Sequence, residues 1–285
     1  MSNFATPRAD SEAGFTDADF EKLANMAKKK FGLSLSPSKK PLVYSRLSRR
    51  LQVRNGCSFP QYLELLERPE EETERLELIS ALTTNVTSFF REEHHFDTLR
   101  EACLPDMLAH AQSGGRVRIW SAGCSSGQEP YSIAATILMS QPGIGQYDVK
   151  ILATDIDPKI VKRAEQAIYP AEEVASLPEK TRHAMFDHAE GSATVVVKKQ
   201  MRSLVTCAEL NLIETWPFKG PFDVIFCRNV AIYFDQSTQQ TIWSKFADYL
   251  KPGGHLFIGH SERVTGDAMK TLKPSGITTY QKLVQ

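Results

Sequence analysis

No run among the 285 residues approaches the roughly 20 consecutive apolar positions that span a bilayer. The opening MSNFATPRADSEAG also lacks the apolar stretch of a secretion signal. Excess charge of either sign is missing too: 34 Lys and Arg stand against 34 Asp and Glu, so nothing global attracts nucleic acid or an anionic membrane. Cysteines number only 5, widely spaced and without a C-x-x-C pair, which argues against a disulfide framework and a zinc site. These absences predict a cytoplasmic chain with buried reduced thiols, no metal centre and no membrane insertion. What remains, 41% apolar and 24% charged, suits a globular protein with one sizeable core and a smaller companion domain.

The texture changes once along the chain. Residues 1–14 are polar and predict a flexible tail. Over 15–84 the apolar residues recur at helical spacing, with Asp17, Ser36 and Ser58 as candidate caps and Gly32 and Gly56 as stops, so a small all-helical domain is expected. From 85 to 285, strand-like runs (VRIWSA, DVKILATD, SLVTCA, FDVIFCRN, HLFIGH, TTYQKLV) alternate with amphipathic helices, the pattern of a doubly wound, largely parallel α/β sheet. About residues 170–203 are too long for a simple connection and contain ATVVVKKQM, which predicts an inserted β subdomain with a short helix.

The stretch Gly123-Cys124-Ser125-Ser126-Gly127 matches the G-x-S-x-G elbow of serine hydrolases, yet it follows the first strand of the α/β region and no HGGG-like oxyanion segment precedes it. A glycine-rich cofactor turn fits better. Gly123 permits the tight turn off the strand, Gly127 permits close backbone approach to a ligand, and Ser125 stands where the usual fingerprint has its middle glycine. The missing Gly-Lys-Ser/Thr excludes a P-loop. Glu129, before the first-turn Pro130, would repel a pyrophosphate; it either attracts a cationic ligand or simply favours the helix N-terminus. Asp155 ends the next strand, where an acid binds ribose hydroxyls, while Asp157 is placed to cap the following helix. Arg228 and Asn229 close a hydrophobic strand and require polar partners. A ligand with a ribose, a positive charge and no phosphate is S-adenosylmethionine.

Together TTNVTSFFRE, SAGCSSGQEPYS, TDID, AELNL, FCRNVAIYFD and LKPGGHLFIGHSE resemble the CheR family of chemoreceptor glutamate methyltransferases, from about Phe15 to Tyr280. The resemblance implies a Rossmann-like class I methyltransferase domain, S-adenosylmethionine as methyl donor and S-adenosylhomocysteine as product. It also implies cofactor contacts at Asn85, Thr87, Arg91, Glu129, Asp155, Asn211, Leu212, Arg228 and Asn229. The implied partner is the cytoplasmic helical bundle of chemoreceptors. The inserted subdomain would dock receptors as well, some members gripping a carboxyl-terminal receptor tether there.

A glutamate carboxylate is already ionised at pH 7, so no general base is required, and His94, His95 and His260 read as structural. Arg91 and Tyr233 are the candidate catalytic side chains, one to hold a carboxylate in a fixed fork and one to donate a hydrogen bond to the acceptor glutamate. A nucleic-acid methyltransferase of the same fold should show Asn/Asp-Pro-Pro-aromatic or a Pro-Cys nucleophile, and neither occurs. A non-enzymatic sensor of the cofactor is the remaining rival. Between Lys28 and Arg54 lie nine Lys or Arg and no acid. Arg46, Arg49, Arg50 and Arg54 share one helical face there, predicting a positive stripe that binds the acidic receptor.

Overall fold

A computed structural model describes residues 14–83, 85–188 and 191–284 and divides them into two compact units. Most of the expected tail, Thr84 and the ribbon residues Ala189 and Glu190 lie outside the described residues.

The first unit holds α1 (Asp17–Phe31), α2 (Lys40–Val53), α3 (Phe59–Glu67) and α4 (Glu72–Leu82), joined by the short segment Tyr233–Asp235. Thr16, not Asp17, caps α1: its side chain accepts the Asp19 N–H while Asp19 accepts the Thr16 N–H, a reciprocal capping box. Asp17 is instead the first helical residue. Ser58 caps α3 in the same way with Gln61, whereas Ser36 precedes a 3-10 turn and its side chain caps nothing. Gly32 ends α1 at φ 75°. Phe20, Leu23, Ala27 and Phe31 form the buried face of α1, Val43, Leu47 and Leu51 that of α2, and Tyr62, Leu63 and Leu66 that of α3.

The second unit begins with α5 (His94–Thr98) and α6 (Leu104–Gln112), joined by one π-helical turn. Then follow β1 (Val117–Ala122), α7 (Gln128–Ser140), β2 (Val149–Asp155), α8 (Pro158–Gln166), β3 (Ile168–Pro170), α9 (Glu179–Met185), β4 (Phe186–Asp187), β5 (Thr194–Val197), α10 (Lys199–Arg202), β6 (Val205–Glu209), β7 (Phe222–Cys227), α11 (Gln236–Tyr249), β8 (Leu250–Ile258), β9 (Leu272–Gly276) and β10 (Thr279–Lys282). Seven strands form one sheet in the order β6-β2-β1-β7-β8-β10-β9, the first five parallel. β10 then pairs antiparallel with both β8 and β9. The sheet is therefore mixed, and β9 lies at its edge although its LKPSG has a proline and a glycine that suppress a strand reading. The insertion forms its own antiparallel sheet, β3-β5-β4.

Apolar strands build the core. β1 carries Ile119 and Trp120, both fully buried, and Trp120 meets Trp216, Phe218, Phe222 and Phe246 at centroid distances of 4.7–5.4 Å. Phe226 of β7 stacks on Phe257 of β8 at 4.4 Å. All five cysteines are free; Cys103, Cys124 and Cys227 are buried, but Cys57 and Cys207 are partly exposed.

Candidate active site

The turn after β1 is shaped by three residues with positive φ: Gly123 at 81°, Ser125 at 49° and Gly127 at 97°. A Cβ on Gly123 would lie 2.3 Å from Val230 Cγ2, and one on Gly127 would lie 2.7 Å from the Tyr169 hydroxyl. Gly127 thus makes room for Tyr169 of the inserted subdomain packed behind it. Ser125 adopts the left-handed backbone that a glycine would hold more cheaply, and its N–H donates to Asp155 Oδ2 at 2.9 Å. Its hydroxyl reaches only the Asn85 carbonyl, at 3.4 Å. Among the described residues no histidine or acid partners this hydroxyl, so it lacks the apparatus of an activated nucleophile.

Asp155 sits at the carboxyl end of β2, its other oxygen accepting the Asp157 N–H at 3.1 Å. Burial pushes its carboxyl up, against those backbone donors. Asp157 caps α8 through Lys159 N–H, as its spacing suggests.

Arg228 ends β7 nearly buried, its side chain 2% exposed, between two acids: Glu129 at 3.2 Å and Glu92 at 3.3 Å. It also donates to the Arg91 carbonyl. The polar partner that this arginine requires is thus already within the protein. Glu129 spends its carboxylate on Arg228 and on the Ser121 hydroxyl at 2.6 Å, and burial, opposed by Arg228, still pushes it upward. Burial would also raise Glu92, but the Arg228 guanidinium, helped by His260 and Asn229, outweighs that and holds it at about 2. Two carboxylates and one guanidinium leave this cluster formally at −1.

Asn229, at φ 60°, is gripped on every side. Its amide oxygen accepts from Arg91 at 3.1 Å and its amide nitrogen donates to Glu92 at 3.2 Å. Its backbone N–H donates to Glu262 at 2.9 Å. Glu262, 6% exposed, also accepts the N–H groups of Gly259, Val230 and Ile232 at 2.6–3.2 Å. Glu92 and Glu262 were not singled out by the sequence, although both lie inside the family stretches TTNVTSFFRE and LKPGGHLFIGHSE.

Arg91 also donates to the Val86 carbonyl at 2.9 Å, fixing the loop that carries Asn85 and Thr87. Beyond β6, Asn211 accepts Ile213 N–H and donates to Glu214, while buried Leu212 offers its carbonyl to Trp216 Nε1 and Lys245. His95 is fully buried, its Nε2 2.7 Å from the Thr278 hydroxyl, and burial, reinforced by Arg228 and His94, pushes it down to about 3. Glu92, His94 and His95 bring three ligand-type atoms within 4.8 Å of one another. Glu92 Oε2 also pairs with Arg228 at 3.3 Å.

The helical unit contradicts the free positive stripe. Arg50 pairs with Glu74 at 2.8 Å and Glu77 at 3.1 Å; Arg54 pairs with Glu71 and with Glu74 at 3.1 Å. Arg46 donates to the carbonyls of residues 81–83 at the end of α4. Three of the four arginines hold α2 to α4, and only Arg49 is exposed. The acids responsible, Glu71, Glu74 and Glu77, recur every three residues, a spacing that could have exposed the complementary face. Tyr233 belongs to this unit by its contacts, its carbonyl accepting Ser34 N–H at 2.7 Å.

Family models match both units: the CheR methyltransferase all-alpha domain over residues 18–83 and the CheR methyltransferase SAM binding domain over residues 85–280. A probable chemotaxis protein methyltransferase of Rhizobium etli is 50% identical over 88% of this chain and 94% of its own length. The chemotaxis protein methyltransferase of Escherichia coli is 41% identical over 87% of this chain and 85% of its own. Among solved structures, an S-adenosylmethionine dependent methyltransferase from Mesorhizobium loti is 16% identical with a TM-score of 0.30, covering 57% of this chain and 54% of that one, too loose a likeness to add to the family match. With both family domains matched and relatives this similar over most of its length, the chain belongs to the CheR family of S-adenosylmethionine-dependent chemotaxis methyltransferases.

Proposed function

We propose that the protein transfers the methyl group of S-adenosylmethionine to glutamate side-chain carboxylates of chemoreceptors, giving glutamate methyl esters and S-adenosylhomocysteine. The observation that carries this reading is the placement of Asp155 at the carboxyl end of β2 and of the Glu129–Arg228 pair just beyond the adjacent strands β1 and β7, the crevice where open α/β sheets hold ligands. The residues fit the cofactor: Asp155 retains lone pairs for ribose hydroxyls beyond its two backbone bonds, and the net negative cluster of Glu92, Glu129 and Arg228 suits a cation. When bound, the cofactor supplies an electrophilic methyl on a sulfonium.

The protein's work is alignment and exclusion of water. Arg91 and Asn229, locked to each other, border the site with fixed donors, and Arg91 is the candidate to orient a carboxylate. Because a carboxylate and a sulfonium lose opposite charges in the transfer, a dry crevice does not oppose the transition state. Tyr233 is proposed as a hydrogen-bond donor to the acceptor, and exposed Arg49 as the remaining part of the stripe that steers an acidic receptor. In the inserted sheet, β3 and β4 are edge strands, either of which could add an extended receptor tether as a further strand.

Tritiated S-adenosylmethionine incubated with receptor-containing membranes should yield base-labile methyl ester on the receptor. Label found in RNA instead, or no label at all, would sink the assignment.

A further inference from the structure

We propose that an open cavity of about 430 Å³ beside β7 and β8 seats the acceptor protein, with Arg263 pairing there with a second carboxylate near the one being methylated. This rests on the protein-glutamate reading above and assigns it a surface.

Position is the first argument. The cofactor turn follows β1 and Asp155 ends β2, while the cavity is lined by residues that follow β7 (Ile232, Gln239) and β8 (Glu262, Arg263, Thr265). In the order β6-β2-β1-β7-β8, it therefore lies on the far side of β7 from β1 and β2, to which the reading above assigns the cofactor. Arg228 and Asn229 follow β7 directly, between the two. Two reactants that exchange a methyl at the end of β7 need space on both sides, and this cavity is the space on the second.

Its chemistry is the second argument. Ile232 is 45% exposed, an apolar surface at the rim. Thr265 lines the same wall, with a buried hydroxyl that has no hydrogen-bond partner. Arg263 is exposed and, among the described residues, makes no hydrogen bond or ion pair. Glu262 adds no competing surface charge, because its carboxylate is buried under four backbone N–H groups. An exposed apolar contact and one free guanidinium fit a polypeptide that carries an acid. That acid is not the nucleophile, whose carboxylate Arg91 is the candidate to orient. Arg263 fits a neighbouring carboxylate, which keeps its charge throughout the reaction.

Arg263→Glu and Arg263→Lys test this with the full-length enzyme and receptor-containing membranes, alongside calorimetric titration with S-adenosylhomocysteine. Arg263→Glu should raise the KM for receptor at least tenfold while cofactor affinity and the thermal midpoint stay at wild-type values, and Arg263→Lys should restore most of the loss. Wild-type KM in Arg263→Glu would overturn the role of the cavity alone. A wild-type enzyme that labels no receptor would overturn the underlying reading, and the cavity with it.

Discussion

The backbone N–H of Ser125 donates to the carboxylate of Asp155 at 2.9 Å, tying the turn after β1 to the end of β2. Asp155 therefore does two things at once: it shapes the turn and presents its free lone pairs beside it. Asp155→Ala should weaken binding of S-adenosylhomocysteine by about 1–3 kcal/mol, the scale of leaving polar partners unpaired. Calorimetry finding wild-type affinity would remove Asp155 from the cofactor site.

Ser125 is a conformational substitute for glycine. Ser125→Gly should preserve methyl transfer and relieve a left-handed backbone that costs roughly 1 kcal/mol, and Ser125→Ala should retain activity within about threefold, where loss of a true nucleophile costs several orders of magnitude. Single-turnover assays with receptor membranes decide between the two.

Arg50 and Arg49 should part company. Arg50→Ala leaves Glu74, only 4% exposed, with Arg54 as its remaining cation, and should destabilise the helical unit by about 1–3 kcal/mol. Arg49→Glu should leave the urea midpoint unchanged and slow receptor methylation at low salt. Equal stability losses in both variants would contradict the pairing.

His95 predicts a specific acid sensitivity. Its folded value of about 3 lies below the ordinary 6.5, so on acidification the unfolded chain takes up this proton first. The stability it contributes is complete above 6.5 and is lost as pH falls from there toward 3. Between pH 7 and pH 5 the loss should be about 2 kcal/mol. His95→Phe should lack that component, so a variant whose denaturation midpoint falls with pH as steeply as wild type would exclude His95 as its source.

Residues whose signal is local were legible in the sequence. The apolar runs of β1, β2 and β7 announced buried parallel strands, Ser58 and Asp157 announced helix starts, and Gly123 announced a turn. What failed depends on partners distant in sequence. Arg50 looks like one charge of an exposed stripe until Glu74 and Glu77 are placed against it. Arg228 signalled a need for polar partners, but Glu92, 136 positions earlier, has no periodicity that marks it as one of them. Glu262 is harder still, because what it binds is main-chain N–H, which carries no side-chain signature at all. The packing of Tyr169 against Gly127 is likewise visible only in the fold.

The placement of β10 between β8 and β9 has a consequence for biosynthesis. While the chain is being translated, β8 can dock on β7, but its outer edge stays open until residues 279–282 have left the ribosome. Among the described residues β9, made earlier, pairs with β10 and not with β8. A nascent chain stalled before that point would present an unpaired, largely apolar strand carrying Leu256, Phe257 and Ile258, the kind of surface that chaperones retain and that aggregates when they do not.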